Sequence, residues 1–218
     1  MKKVIFLIVI LMMIIVNCGK IKSLPSYVLE LSPGGQDDSD FPFETSTHNF
    51  SNTTISDNMA FFSIGLSKDR FYKGESCLKV NCNFSGQTNY RGGAITQSNT
   101  TIEMAGKTLK AYVWVPSGMF DGNNPYGATF FILTAGNYHW YQSDWQNLTL
   151  PPESVAGVWN EIKFEVDKMK YNDNGTSKTY IEMGDDINKQ WQWGLKIGMG
   201  DNSTTFNAII YIDSISIE

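Results

Sequence analysis

Apolar and polar positions alternate most cleanly near the C-terminus. Leu195 and Ile197 alternate with Gly194, Lys196 and Gly198, the period-2 pattern of a strand with one buried face. The polar turn Gly200-Asp-Asn-Ser follows, and Ile209-Ile-Tyr-Ile-Asp-Ser-Ile-Ser-Ile-Glu218 then continues the β-branched pattern. These two runs predict the closing hairpin of a β-sandwich. Similar runs, split by Gly, Asn, Asp and Ser clusters, fall at residues 41–44, 59–66, 77–84, 93–97, 109–115, 128–134, 139–141 and 161–166. No long amphipathic helix intervenes. Short strands at regular spacing with turn signals between them predict an all-β fold, a β-sandwich jelly roll.

Alternation also sorts side chains within strands. Ala111, Val113 and Val115 share one small apolar face, so Tyr112 and Trp114 take the other face with Lys110. That second face is a binding surface, solvent, or a layer under a covering loop. Trp193 shares the face of Leu195 and Ile197 and is expected in the core. Cys77 and Cys82 are an odd number of positions apart in one strand, so their thiols face opposite sides and make a poor disulfide. Asp213 stands inside a strand, where Asp is disfavoured unless it has a partner, and is therefore a candidate for a buried cation site.

The N-terminus is a different kind of segment. Lys2 and Lys3 precede an apolar run at residues 4–16, shorter than the ~20 residues a spanning helix needs, and the pair reads as a secretory signal. Ile15-Val-Asn-Cys18 resembles a bacterial lipoprotein box, which makes residues 1–17 the signal peptide and Cys18 the lipidated residue; the alternative is an ordinary signal peptide with an incidental Cys. Residues 18–40, polar with Pro25, Pro33, a Gly-Gly and an acidic run, read as a tether. The expected location is outside the cytoplasm, as a lipoprotein anchored in the outer membrane or at the cell surface. The chain has 218 residues, 13% aromatic and 18% charged, with a formal net charge of −5. That is one sizeable domain, residues 41–218, with many rings to place. Its charge argues against nucleic acid as a partner.

Several local patterns in residues 41–218 resemble calcium-containing β-sandwich carbohydrate-binding modules of the family 4, 16 and 22 kind. They are Phe41-Pro-Phe-Glu44, Tyr72-Lys-Gly-Glu-Ser-Cys-Leu-Lys-Val80, Leu109-Lys-Ala-Tyr-Val-Trp-Val-Pro116, and Asn137-Tyr-His-Trp-Tyr-Gln-Ser-Asp-Trp145 with Val158-Trp-Asn-Glu161 after it. The Gly-Leu-Lys-Ile-Gly and Tyr-Ile-Asp strands close the series. The resemblance implies a monomeric, non-catalytic module that binds a β-linked polysaccharide. It also implies a structural Ca2+ held by Glu44, Glu75, Asp213 and a turn carbonyl such as that of Lys73, since calcium takes oxygen ligands.

Sugars are bound by aromatic faces, with amides and charges taking the hydroxyls. The segment 137–145 concentrates Asn137, Trp140, Tyr141, Asp144 and Trp145, more polar groups and rings together than a buried strand carries. Lys196 falls where the resembling modules place a groove residue. Tyr112 and Trp114, and Tyr90, Arg91 and Gln97 on or beside a Gly-flexible loop, complete the expected ligand set. Two other functions stay open. His139, Tyr141, Arg91 and Gln97 could serve a jelly-roll polysaccharide lyase, which needs a base on a concave sheet. A surface adhesin that binds protein is the third.

Overall fold

The structure is a computed structural model that describes residues 37–52, 61–84, 91–117, 126–149, 151, 156–199 and 206–218. The segment expected to be a signal peptide, Cys18, most of the expected tether and Tyr90 lie outside the described residues.

Burial follows the alternation strand by strand. The described residues form β1 (Ser51–Asn52), β2 (Phe61–Ser67), β3 (Cys77–Phe84), β4 (Arg91–Thr101), β5 (Thr108–Pro116), β6 (Tyr126–Thr134) and β7 (Trp140–Gln142). They continue as β8 (Gln146–Asn147), β9 (Gly157–Glu165), β10 (Tyr171–Asp173), β11 (Thr176–Lys178), β12 (Lys189–Met199) and β13 (Phe206–Ile217). One helical turn, α1 (Tyr180–Met183), is closed by a Thr179–Glu182 capping box and by Gly184 in the left-handed conformation. One sheet runs β1-β4-β12-β6-β7, with β8 also on β6; the other runs β2-β3-β13-β5-β9. A β10–β11 hairpin stands apart.

The two sheets face each other across one core. Ile95, Phe130, Ile132, Trp193, Leu195 and Ile197 come from the first sheet; Leu78, Val80, Leu109, Val113, Ile162, Ile210 and Ile212 come from the second. All are buried side chains of one contiguous cluster, the arrangement that stabilises a two-layer sandwich. Trp193 sits in this core, with its indole N–H donating to Gln97 Oε1 at 3.0 Å. Cys82 belongs to the same core and Cys77 to a separate cluster outside the second sheet, both as free thiols. Opposite-facing thiols are what the odd spacing predicts.

Two expectations are corrected. The last two runs do not form a hairpin. β12 pairs with β4 and β6, and β13 pairs with β3 and β5, so consecutive strands belong to different sheets. Period-2 alternation identifies the buried face of a strand and says nothing of its neighbours. Residues 41–44 form no strand either; Phe41 makes a single bridge to Ile215. Its neighbours act as a plug, with Phe41 and Phe50 packed on the Trp193 ring at 5.6 and 5.4 Å between centroids. Contacts to β13 also reach residues before Phe41. Ser214 Oγ donates to Asp37 at 2.8 Å and the Ile217 N–H donates to Asp40 at 2.6 Å, so the acidic end of the expected tether is docked on β13.

Candidate functional site

The side of the first sheet that faces away from the core carries the densest group of predicted residues. On β12, Lys196 lies opposite Ala94 and Thr129, and Gln192 opposite Ser98 and Leu133. On β6, Phe131 lies opposite Gly194 and Gln142, and Trp140 lies opposite Leu133. Trp140 lies flat on Phe131, with centroids 4.3 Å apart and planes 3° apart. One indole face is thus seated on the sheet and the other is turned away from it. Its N–H donates to Gln142 Oε1 at 3.2 Å, which fixes the ring in its plane. Trp145 follows β7 and is 39% exposed. It lies against Gly127, where an added Cβ would come within 3.0 Å of the indole, so a small residue there lets the ring settle onto the strand.

Lys196 joins the two rings. Its Nζ is 5.9 Å from the Trp140 ring centroid and 5.7 Å from that of Trp145, within cation–π range of both. Burial between them disfavours the ammonium and lowers the Lys196 pKa below the ordinary lysine value. Four positions earlier on the same face of β12, Gln192 Nε2 donates to Thr96 Oγ1 at 3.0 Å. The result is two flat apolar platforms with a cation between them and an amide and hydroxyl alongside. This combination suits a ligand that offers apolar ring faces and hydroxyl groups. Asp144 is exposed next to Trp145.

Other predicted ligand residues are held elsewhere. Tyr141 is fully buried, and its hydroxyl donates to Asp185. Asn137 donates to Asp185 Oδ1 at 2.7 Å, and His139 Nδ1 lies 2.6 Å from Oδ2. Three residues of the ring-rich segment are therefore gathered on one carboxylate, which ties the β6–β7 turn to the segment before β12. Those hydrogen bonds keep the Asp185 pKa below the ordinary value, although burial opposes them as the largest single influence. Gln97 lies on the core side, donating to the His48 carbonyl and accepting from Trp193. Tyr141 and Gln97 are thus both buried, Gln97 against Trp193 and Tyr141 against Asp185, and the Arg91 side chain lies outside the described residues.

Tyr112 and Trp114 are under a covering loop. Tyr72 stacks on Tyr112 with centroids 3.6 Å apart and planes at 15°, and the Tyr112 hydroxyl donates to Glu161 at 2.8 Å. The Arg70 guanidinium lies 4.1 Å from the Trp114 ring centroid. Trp114 keeps 6% of its surface exposed, so neither ring offers a face to a ligand.

The residues expected at a cation are partly brought together. Asp213 is buried at a bulge of β13 and accepts from the N–H groups of Tyr72, Lys73 and Ser214 at 2.6, 3.2 and 2.8 Å. Burial still pushes its pKa up to about 7, with Asp37 adding to the rise and the three N–H groups opposing it. Glu44 accepts the Glu75 N–H at 3.0 Å on the same turn. The Glu75 carboxylate pairs with Lys68 at 3.4 Å and is largely exposed, apart from the Asp213 carboxylate. Among the described residues no group of three or more His, Cys, Asp or Glu side chains is placed to hold a metal. Oxygens beyond the side chains of Glu44 and Asp213 would have to complete one.

One exposed ring pair escapes the period-2 reading. By alternation from Trp193, Trp191 would face the core. The register with β6 slips between Gln190 and Gln192, and Trp191 is 45% exposed against Tyr138, itself 57% exposed, with centroids 5.6 Å apart. A bulge inserts a residue that alternation does not count. No sequence signal marks it here.

The sequence matches no protein-family model and no curated protein. The fold is similar to solved carbohydrate-binding modules. One, from the β-sandwich superfamily and studied for promiscuous specificity, superposes with a TM-score of 0.56 at 19% identity over 86% of this chain. The match spans 64% of that chain. The CBM27-1 module of Caldicellulosiruptor saccharolyticus, solved with mannohexaose, gives a TM-score of 0.52 at 12% identity, covering 80% of this chain and 93% of its own. A CBM28 module specific for non-crystalline cellulose gives 0.52 at 10% identity, covering 85% and 96%. These superpositions show that the chain has the fold of the β-sandwich carbohydrate-binding modules.

Proposed function

We propose that the protein binds a β-linked polysaccharide, without catalysis, on the outer face of the first sheet. The observation that supports this most is the placement of Lys196 between the Trp140 and Trp145 rings, 5.9 and 5.7 Å from their centroids. Trp140 lies flat on Phe131, so its outward face is a ready platform for the apolar side of a pyranose. Lys196, Gln192 and Gln142 are near enough in the register to meet its hydroxyls. Among the solved modules of this fold, one was crystallised with mannohexaose and one is specific for non-crystalline cellulose, both β-linked glycans.

The test is calorimetric titration of the full chain with mannohexaose, cellohexaose and xylohexaose. Trp140→Ala and Trp145→Ala should each weaken binding about thirtyfold, the ~2 kcal/mol expected when a central stacking ring is truncated. Their melting temperatures should stay near that of the parent. Unchanged affinity in both variants, with the fold intact, would remove this face from consideration.

A structural calcium ion belongs to the same reading. Asp213 and Glu44 would hold it, with carbonyl oxygens of the 72–75 turn. Its support is electrostatic: Asp213 stays near pKa 7 despite three N–H donors, so the buried carboxylate lacks positive charge that a divalent cation supplies.

A further inference from the structure

We propose a second site, on the outer face of the second sheet, that binds the carboxylate of an acidic sugar residue, a uronate unit of a polysaccharide. It does not depend on the Trp140–Trp145 face, which lies on the other sheet.

A pocket of about 610 Å³ opens over β3, β13 and the end of β5, lined among others by Arg70, Asn81, Trp114, Ser117, Asn207 and Tyr211. Arg70 is the charged group in it, and it is held in place from several sides. Its carbonyl accepts the Cys77 thiol proton at 2.7 Å. Its guanidinium lies on the Trp114 indole at 4.1 Å. Trp114 is in turn fixed by the edge of Tyr211, 5.4 Å away, and by Gly157, where an added Cβ would come within 2.0 Å of the indole. No acidic side chain among the described residues forms an ion pair with Arg70. The adjacent carboxylate, Asp69, is taken by Lys79 at 2.6 Å.

The chemistry follows from that arrangement. A guanidinium seated on an indole, and engaged by no acid among the described residues, suits a planar two-oxygen acceptor, and a carboxylate matches the fork bidentately. Preorganisation removes the rotamer entropy that a free surface arginine loses on binding. The surrounding groups are neutral. Asn81 donates to Ser63 at 2.7 Å, which leaves its amide oxygen able to accept. Asn207 is exposed, and Ser117 adds a hydroxyl. Amides and a hydroxyl around one cation suit a ligand that carries a single acid among several hydroxyls. Ile209 and Pro116 supply apolar edge for the C–H side of the ring. The chain as a whole carries a net charge of −5 and repels polyanions, so attraction to an acid has to be local.

Titration of the full chain with a galacturonic acid tetramer, followed by calorimetry and by the tryptophan indole N–H resonances, decides the matter. The tetramer should bind, weaken with added salt, and shift the Trp114 indole resonance but not that of Trp140. Its methyl ester should not bind, because it lacks the acid, and acetate should bind far more weakly, because it lacks the ring. Arg70→Gln should weaken tetramer binding at least tenfold while mannohexaose binding stays unchanged; Trp140→Ala should do the reverse. Should Arg70→Gln unfold the protein, Arg70→Lys, which keeps the charge without the fork, should still weaken the tetramer severalfold. Equal binding of the methyl ester overturns the proposal, as does displacement of the tetramer by mannohexaose. So does a parent protein that leaves the Trp114 resonance unmoved by the tetramer.

Discussion

Lys196 is placed at a cost to the fold. Its pKa is lowered by burial, and a depressed lysine destabilises the native state wherever the side chain is charged; the penalty is relieved as pH rises through the folded pKa. Lys196→Met should therefore melt higher than the parent at pH 7 and bind mannohexaose more weakly. In the parent, glycan affinity should fall on raising the pH at values below the usual lysine range, and in Lys196→Met it should not. A parent affinity profile that stays flat through the whole lysine titration would show that the ammonium takes no part. Trp193 and Trp140 illustrate how far single residues were legible. Alternation placed Trp193 in the core, and ring density pointed to Trp140. The same alternation put Tyr112 and Trp114 correctly on the outer face but could not see what covers them. Their cover comes from Arg70 and Tyr72 in a polar loop distant in sequence, and period-2 patterning carries no information about such contacts.

At the scale of elements, β13 departs most from a regular strand. Its pairing with β5 slips between Asp213 and Ser216, and Ser214 takes a positive φ of 50°. The slip turns the Asp213 carboxylate to the 72–75 turn and leaves Ser214 to hold Asp37. An Asp in a strand pattern announced a special position; the bulge that accommodates it had no signature in the residues around it. Asp37 and Asp40 were equally hard to recognise, because an acidic polar run looks the same whether it is a linker or a set of acceptors for backbone N–H groups. If a calcium ion completes this corner, it stabilises the native state by RT ln(1 + [L]/Kd), about 2.7 kcal/mol at a hundredfold excess over Kd. Calcium added to stripped protein should then raise the melting temperature by several degrees, and Asp213→Asn should lose that increment. Superposable melts with calcium and with chelator would exclude the ion.

Across the whole molecule, most strands were visible as strands, and the pairing order was not. That order has a consequence for how the chain is made. β12 lies between β4 and β6, and β13 between β3 and β5, so the last two of the described strands to leave the ribosome are central in both layers. Until they emerge, each sheet exists only as separated fragments that cannot close a core. Nearly all the decisive contacts join residues far apart in the chain, a topology that folds slowly. Assembly is thus deferred until residue 217 has emerged, with no stable half-domain beforehand. Ribosome-stalled chains whose emerged part stops short of residue 189 should be digested readily by a pulse of protease, and chains extended by a linker past residue 218 should resist it. Protection that grows in steps with length would mean that one layer can form without its middle.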